Sequence, residues 1–193
     1  MCYIIKRNKR SRRGGSVMAE KHKIYNVLDI ARYVINYYND ACVEISNLKL
    51  QKLLYYIQAT FLVEQNRECF EDKIVNWSYG PVIENVYMEY RSYGYANIPK
   101  QNSYVKIIYD SEKNEMRYAT IEFNKDIIDD NDIKLIDKSI KSYMSYEPFC
   151  LVKKTHEEDP WKSSNQNDEI TAENIKKYYS QHPENIYGEE SKE

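Results

Sequence analysis

The residues best suited to chemistry in this 193-residue chain form one short acidic run behind a histidine. His156 precedes Glu157, Glu158 and Asp159, and a histidine beside carboxylates can ligate a metal ion or act as a general base. Adjacent side chains cannot all point at one ion, and no second histidine stands close in the sequence. We therefore predict a structural turn around His156, and we keep a metal-dependent or hydrolytic enzyme centred on it as an alternative.

Other enzyme signatures are missing from the sequence. It contains no GxxxxGK[ST], GxGxxG, HExxH or GxSxG motif, and its five glycines leave little room for a glycine-rich phosphate-binding loop. A hydrolase could pair Cys42 or Cys150 with His156, but no neighbouring residue marks either thiol as activated. We expect both cysteines to be reduced and at least partly buried. The prediction is a protein that is not an enzyme, without catalytic residues, metal or cofactor.

The charge balance argues against a general affinity for nucleic acid or anionic membranes. Lys plus Arg number 28 and Asp plus Glu number 30, which gives a net charge of −2. No apolar run is long enough to span a bilayer or to form a signal-peptide core, so we expect a cytoplasmic protein with no membrane partner. The 20 tyrosines would suit a binding surface, but we favour a simpler explanation, an AT-rich coding bias that is visible also in Lys, Asn and Ile.

Three regions are expected along the chain. Residues 1–20 form a basic extension that we predict to be disordered, and the Arg-Arg-Gly-Gly run before Met18 suggests that Met18 is the natural start. A single domain is predicted over residues 21–180, and a flexible tail over 181–193. The basic stretch 1–17 leaves a second alternative, a nucleic-acid-binding regulator, although we do not expect nucleic acid as the main partner.

Helical periodicity dominates the predicted domain. Asn26, Ser46 and Thr171 each precede an apolar stripe and are suited to cap a helix. The helix after Ser46 is apolar on two opposite sides, which is typical of a central helix packed on both faces. Further helices are expected from Asp129 and near Pro148. The predicted fold class is mainly α (α+β), a compact single-domain bundle of five to six helices with a small antiparallel β-hairpin.

Two segments are expected to break the helical pattern. Residues 104–109 and 115–123 are β-branched and aromatic, and the five polar residues between them predict a hairpin loop. Residues 73–77 read as an extended connection. Gly80-Pro81 then predicts the start of a helix running to about Tyr93, because proline fits the first helical position.

Several motifs of the chain together resemble the Panacea (SocA-like) antitoxin domain. The resemblance runs from about Tyr25 to Tyr179 and rests on the following stretches: Leu48-Lys49-Leu50-Gln51-Lys52-Leu53-Leu54-Tyr55-Tyr56, Trp77-Ser78-Tyr79-Gly80-Pro81-Val82-Ile83 with Val86-Tyr87, Thr155-His156 with Pro160-Trp161, and Ile170-Thr171 with Tyr178-Tyr179. The first two motifs are specific as a pair, and the last is weak alone. Residues 1–17 have no counterpart in the pattern.

The resemblance implies an antitoxin of a type II toxin–antitoxin system, encoded beside its toxin, often on a prophage or another mobile element. Such proteins neutralise a cognate toxin by direct protein–protein binding, and one branch delivers its toxin to a cytosolic protease as an adaptor. A homo-oligomer is also compatible with this role. The residues expected to contact the partner are those of the motifs with basic, aromatic or imidazole side chains: Lys49, Lys52, Tyr55, Tyr79, Tyr87, His156 and Trp161.

Overall fold

The structure is a computed structural model that describes residues 23–111 and 113–188. Within those ranges the chain forms seven α-helices and two antiparallel sheets of two strands each. The helices are α1 (Val27–Asp40), α2 (Asn47–Thr60), α3 (Glu84–Tyr90), α4 (Asp130–Tyr143), α5 (Pro148–Glu157), α6 (Asp159–Lys162) and α7 (Ala172–Gln181). The predicted mainly-α class with a small β component is confirmed. The helices outnumber the predicted five to six because the segment read as a turn at 155–161 is the end of α5 followed by the one-turn α6.

The three predicted N-caps are confirmed. The side chain of Asn26 accepts a hydrogen bond from the backbone N–H of Leu28 at the start of α1. Ser46 accepts from the N–H of Lys49 in α2, and Thr171 accepts from the N–H of Asn174 in α7. Each cap satisfies a first-turn donor that has no partner within its own helix.

Helix α2 is the centre of the domain, as its two apolar sides predicted. Every one of its residues except Leu48 is buried. It contacts α1, α4, α5 and α7, and a π-helical turn over Phe61–Gln65 extends it. The ring of Tyr56 stacks on that of Tyr143 from α4 with centroids 4.3 Å apart. Because α2 is enclosed on all sides, a polar side chain on it has to find its partner inside the protein.

The Gly80-Pro81 segment corrects the sequence prediction. It belongs to strand β2 (Gly80–Ile83), which pairs antiparallel with β1 (Ile74–Trp77), and α3 begins only at Glu84. Gly80 has φ = +94°, a conformation that lets the chain reverse through the short turn after Trp77. Proline is compatible with an edge strand as well as with a helix start, so the dipeptide alone could not distinguish the two.

A third backbone segment covers the other side of β1. The N–H of Asn76 donates to the carbonyl of Asp168 at 2.9 Å, and the N–H of Asn167 donates back to Asn76 at 2.7 Å. The N–H of Ile170 adds a bond of 2.7 Å to the carbonyl of Ile74. The chain before α7 is thereby tied to the first sheet.

The predicted hairpin is confirmed as β3 (Ser103–Asp110) and β4 (Glu115–Glu122), with a connection slightly shorter than expected. Its two faces differ in charge. One face carries exposed apolar side chains, which we call the hairpin face: Val105, Ile107, Tyr109, Met116 and Tyr118. Because successive side chains alternate, the charged residues Lys106, Asp110, Glu115 and Arg117 lie on the opposite face, and Glu122 at the end of β4 is the one charged strand residue on the hairpin face.

Most of the two predicted terminal regions lies outside the residues that the structure describes. The proposed extension 1–20 and the proposed start at Met18 lie outside the described residues, as do residues 189–193 of the predicted tail. In the described part of that tail, Ile186 is buried and its carbonyl accepts a hydrogen bond of 2.8 Å from the hydroxyl of Tyr143. The domain boundaries at 21 and 180 stay predictions. None of the helices over 23–111 and 113–188 is long and apolar enough to cross a membrane.

Candidate partner-binding groove

An open groove with a volume of about 500 Å³ lies where five parts of the fold meet. These parts are the start of α2, the strands β1 and β2 with the turn between them, α3 with the residues after it, the start of α5, and the loop before α7 at residues 166–167. We call it the aromatic groove and define it by its aromatic and cationic lining: Trp77, Tyr79, Tyr87, Arg91, Tyr95 and Phe149. Three of these rings are largely in solvent, with exposed fractions of 60% for Tyr79, 85% for Tyr95 and 59% for Phe149.

Ring-to-ring contacts hold part of the groove in shape. Trp77 meets Tyr87 edge-on with centroids 4.9 Å apart, and Tyr79 meets Phe149 edge-on at 6.3 Å. Each pair joins different parts of the fold. Trp77 ends β1 and Tyr87 lies on α3, whereas Tyr79 lies in the turn between β1 and β2 and Phe149 lies in the first turn of α5. Aromatic side chains have few rotatable bonds, so rings placed in this way lose little entropy when a partner covers them.

The polar residues of the groove are mostly engaged with one another. Gln51 of α2 accepts the N–H of Ile83 at 2.8 Å and donates to Asn47 at 3.0 Å. Asn47 in turn donates to the carbonyl of Tyr87 at 3.2 Å. These bonds fasten α2 to β2 and α3, so they fix the floor of the groove. They use donors and acceptors that a ligand would otherwise contact.

Lys52 lies behind the groove and not on its surface. Its side chain is fully buried, and Nζ donates to the carbonyl of Pro81 at 2.9 Å. No carboxylate of the described chain forms an ion pair with it. Burial lowers the pKa of Lys52 to about 7. The expectation that Lys52 contacts a partner is corrected: its position on the enclosed α2 directs it to a backbone carbonyl of β2.

Gly80 is required at its position because the side chains of Lys52 and Thr155 pack closely against it. A Cβ atom added at Gly80 would lie 2.7 Å from the hydroxyl oxygen of Thr155 and 2.9 Å from Nζ of Lys52. Together with the positive φ, this leaves glycine as the residue that fits. The Tyr-Gly-Pro sequence is therefore explained by the close approach of β2, α2 and α5.

The His156 and Trp161 rings brace the same region. They stack with centroids 3.8 Å apart and planes inclined by 15°, and the indole N–H of Trp161 donates to the carbonyl of Trp77 at 3.1 Å. Burial, followed by the nearby Lys52 charge, lowers the pKa of His156. Its Nε2 atom is buried without a hydrogen-bond partner in the described chain. Both rings are partly buried, so they support Trp77 and offer a partner little surface.

The acidic run after His156 does not form a shared site. Glu158 is buried, and its carboxylate accepts hydrogen bonds from Tyr179 at 2.7 Å, Tyr56 at 3.2 Å and Lys154 at 3.1 Å. Burial raises its pKa despite these donors. Glu157 and Asp159 are exposed. Among the residues that the structure describes, no group of three or more His, Cys, Asp or Glu side chains is arranged to hold a metal ion.

Two other predicted contact residues also lie inside the protein. Tyr55 has no exposed surface and meets Tyr56 and Tyr179 edge-on, so its expected partner contact is corrected as well. Lys49 is 5% exposed, and its Nζ donates to the carbonyl of Met144 at 2.8 Å. In contrast, Cys42 and Cys150, which we expected to be partly buried, are exposed.

The structure therefore brings together Tyr79 and Tyr87 in the groove, with His156 and Trp161 behind them. Sequence reasoning missed Arg91, Tyr95 and Phe149, which complete the groove. Arg91 and Tyr95 follow α3, and Phe149 lies in the first turn of α5; a large aromatic near a helix end was the available signal for Tyr95 and Phe149, and Arg91 had none. It is a weak signal, because the three come from separate parts of the chain.

Comparison with known proteins identifies one family. The family model described as antitoxin SocA-like, Panacea domain, matches residues 50–162, which is more than half of the chain. This span is shorter than the resemblance from Tyr25 to Tyr179, and it includes the six residues that define the aromatic groove. No curated protein and no solved structure gave a significant match. On the strength of this match, the chain belongs to the SocA-like antitoxin family with a Panacea domain.

Proposed function

We propose that this protein is the antitoxin of a type II toxin–antitoxin pair and neutralises its toxin by direct binding at the aromatic groove. The observation that carries the proposal is the set of exposed rings at Tyr79, Tyr95 and Phe149, which lie together in the groove and within the span of the family match. The toxin is the product of a neighbouring gene, and the complex forms in the cytoplasm.

The physical properties of the groove suit a protein partner. Interfaces concentrate their binding energy in a few aromatic and arginine side chains that become fully desolvated. The groove offers five aromatic rings and Arg91 on a surface whose floor is fixed by hydrogen bonds. A stable complex needs about 1,200–2,000 Å² of total buried area, so the toxin would also cover the surrounding rim.

The enzyme alternative has weaker support. The ring of His156 is stacked on Trp161 and its Nε2 atom is buried, so that nitrogen cannot act as a base on a substrate. The oxygens of Glu158 are occupied by the tyrosine and lysine donors. The nucleic-acid alternative rests on residues 1–17, which lie outside the described chain. It predicts salt-sensitive DNA binding that deletion of those residues removes.

The hairpin face favours an adaptor form of the same function. An adaptor needs two separate surfaces, one for the toxin and one for the protease, and no hairpin residue lines the groove. The pair of substitutions Ile107→Ser and Tyr118→Ser should leave toxin binding intact and slow degradation of the toxin in cells. Unchanged toxin lifetime in that variant would remove the adaptor form and leave neutralisation by binding.

Co-expression with the neighbouring gene product tests the proposed function. The wild-type chain should restore growth of cells that the toxin arrests and should copurify with it. The double variant Tyr79→Ala, Phe149→Ala should fail to rescue while keeping its helical circular dichroism, because both rings are exposed. Tyr95→Phe, which keeps the ring, serves as a matched control and should rescue. A neighbouring protein that neither arrests growth nor binds would refute the proposal.

A further inference from the structure

The charge distribution in the groove indicates what part of the toxin it receives. Among the described residues that line the groove, Arg91 is the one with a full charge at neutral pH. The other lining residues carry aromatic rings, three of them phenolic, side-chain amides, aliphatic groups and the Ser78 hydroxyl, together with Gly94. An occupant with a net positive charge would meet no counter-charge there.

Arg91 has no acidic partner of its own in the described chain. Its one side-chain contact within the described residues is a weak one of 3.3 Å from its guanidinium to the sulfur of Met88, three residues earlier in the chain. The nearby Glu89 lies 3.8 Å from Arg32 instead, on the side of α1. Arginine presents a planar set of donors that matches a carboxylate bidentately, so an unpaired arginine at the wall of an aromatic groove is suited to receive one.

The size of the groove limits the occupant to a few side chains. About 500 Å³ is within the range of pockets that enclose a small ligand, and it is far too small for a folded element with all its side chains. The Tyr79–Phe149 pair and the Trp77–Tyr87 pair both line the groove, so apolar ring surface is available to the side chains of an occupant. Gln166 and Asn167 also line the groove; the Gln166 amide donates to the hydroxyl of Ser78 at 3.1 Å, and the side-chain amide of Asn167 is suited to meet main-chain groups of an inserted segment.

We infer that the groove receives one short segment of the toxin, in which apolar side chains enter between the rings and a single carboxylate pairs with Arg91. This inference rests on the proposed function and specifies its contact. The predicted occupant is therefore a segment of a protein, with apolar side chains and one acidic residue.

Synthetic peptides of roughly 15 residues that tile the toxin sequence test the inference, with full-length toxin measured in parallel. The peptide that competes best with the toxin should contain Asp or Glu beside apolar residues. Arg91→Glu should weaken both this peptide and the toxin by at least about ten-fold. Lys153→Glu makes the same change of charge at an exposed position of α5 outside the groove and should leave the affinity nearly unchanged.

Exchanging the charges of the two partners gives the most decisive test of the proposed ion pair. A peptide in which the acidic residue is replaced by Arg should bind Arg91→Glu better than it binds the wild type, because the ion pair is restored with its polarity exchanged. Toxin binding that is insensitive to Arg91→Glu, or a competing peptide without an acid, would overturn the inference and leave the proposed function standing. Full-length toxin that does not bind the wild-type chain would instead refute the proposed function, and the inference with it.

Discussion

Replacement of Lys52 by methionine tests whether this lysine is buried without a counter-ion. In the unfolded chain a lysine has a pKa near 10.4, whereas burial lowers that of Lys52 to about 7. Between these values the unfolded chain binds the extra proton, so the free energy of unfolding rises with pH by up to about 1.4 kcal/mol per pH unit. Below pH 7 both states are protonated, and the full cost of burying the ammonium group remains.

The expected magnitude follows from this window. Between about pH 7.5 and 9.5, the unfolding free energy of the wild type should rise by about 2–3 kcal/mol relative to Lys52→Met. Methionine has a similar volume but no titrating group, and the lost bond to the Pro81 carbonyl adds an offset that does not depend on pH. Burial raises the pKa of Cys69 and of several tyrosines, but these groups are common to both proteins and cancel in the difference.

Urea denaturation followed by tryptophan fluorescence at several pH values measures this difference. Lys153→Met, at an exposed position on α5, is the matched control and should follow the wild type throughout. Parallel stability curves for the wild type and Lys52→Met would show that Lys52 is solvated, and would restore the expectation that its charge faces a partner.

Three further substitutions probe the elements behind the groove. Backbone strain alone costs roughly 1–3 kcal/mol, and Gly80→Ala should destabilise the fold by more than that, because its Cβ would also meet Thr155. Gly94→Ala should cost less, because a Cβ at Gly94 has open space. Thermal unfolding measures both. Glu158→Ala should cost about 2–4 kcal/mol by denaturant unfolding, since it leaves buried hydroxyl donors unpaired, whereas Glu157→Ala should be nearly neutral. Trp161→Phe should cost about 1 kcal/mol through the lost bond to Trp77. Equal effects within either pair, or a neutral Trp161→Phe, would contradict these contacts.

Local signals were sufficient to predict much of the fold. Caps at Asn26, Ser46 and Thr171 depend on side chains that bond within a few residues, so the sequence specifies them directly. The hairpin also forms between neighbouring segments. The Gly80-Pro81 strand was mistaken for a helix start because the choice depends on pairing with β1 and on the close approach of Thr155, which is distant in sequence.

The groove could be predicted only in part, for a related reason. Tyr79 and Tyr87 are motif residues, but their exposure is decided by what packs over them. Lys52 illustrates the reverse case: residue type favours the surface, while the position on a fully enclosed helix places it inside. Arg91 and Phe149 both line the groove from segments separated by more than fifty residues, and no local pattern encodes that they come together there.

Hydrogen–deuterium exchange of the chain with and without its toxin tests the central claim most directly. Binding at the aromatic groove should slow amide exchange in the residues from Trp77 to Tyr95 and around Phe149, and should leave the hairpin strands β3 and β4 unchanged. Slowed exchange confined to other surfaces, with the groove unaltered in a saturated complex, would contradict the account.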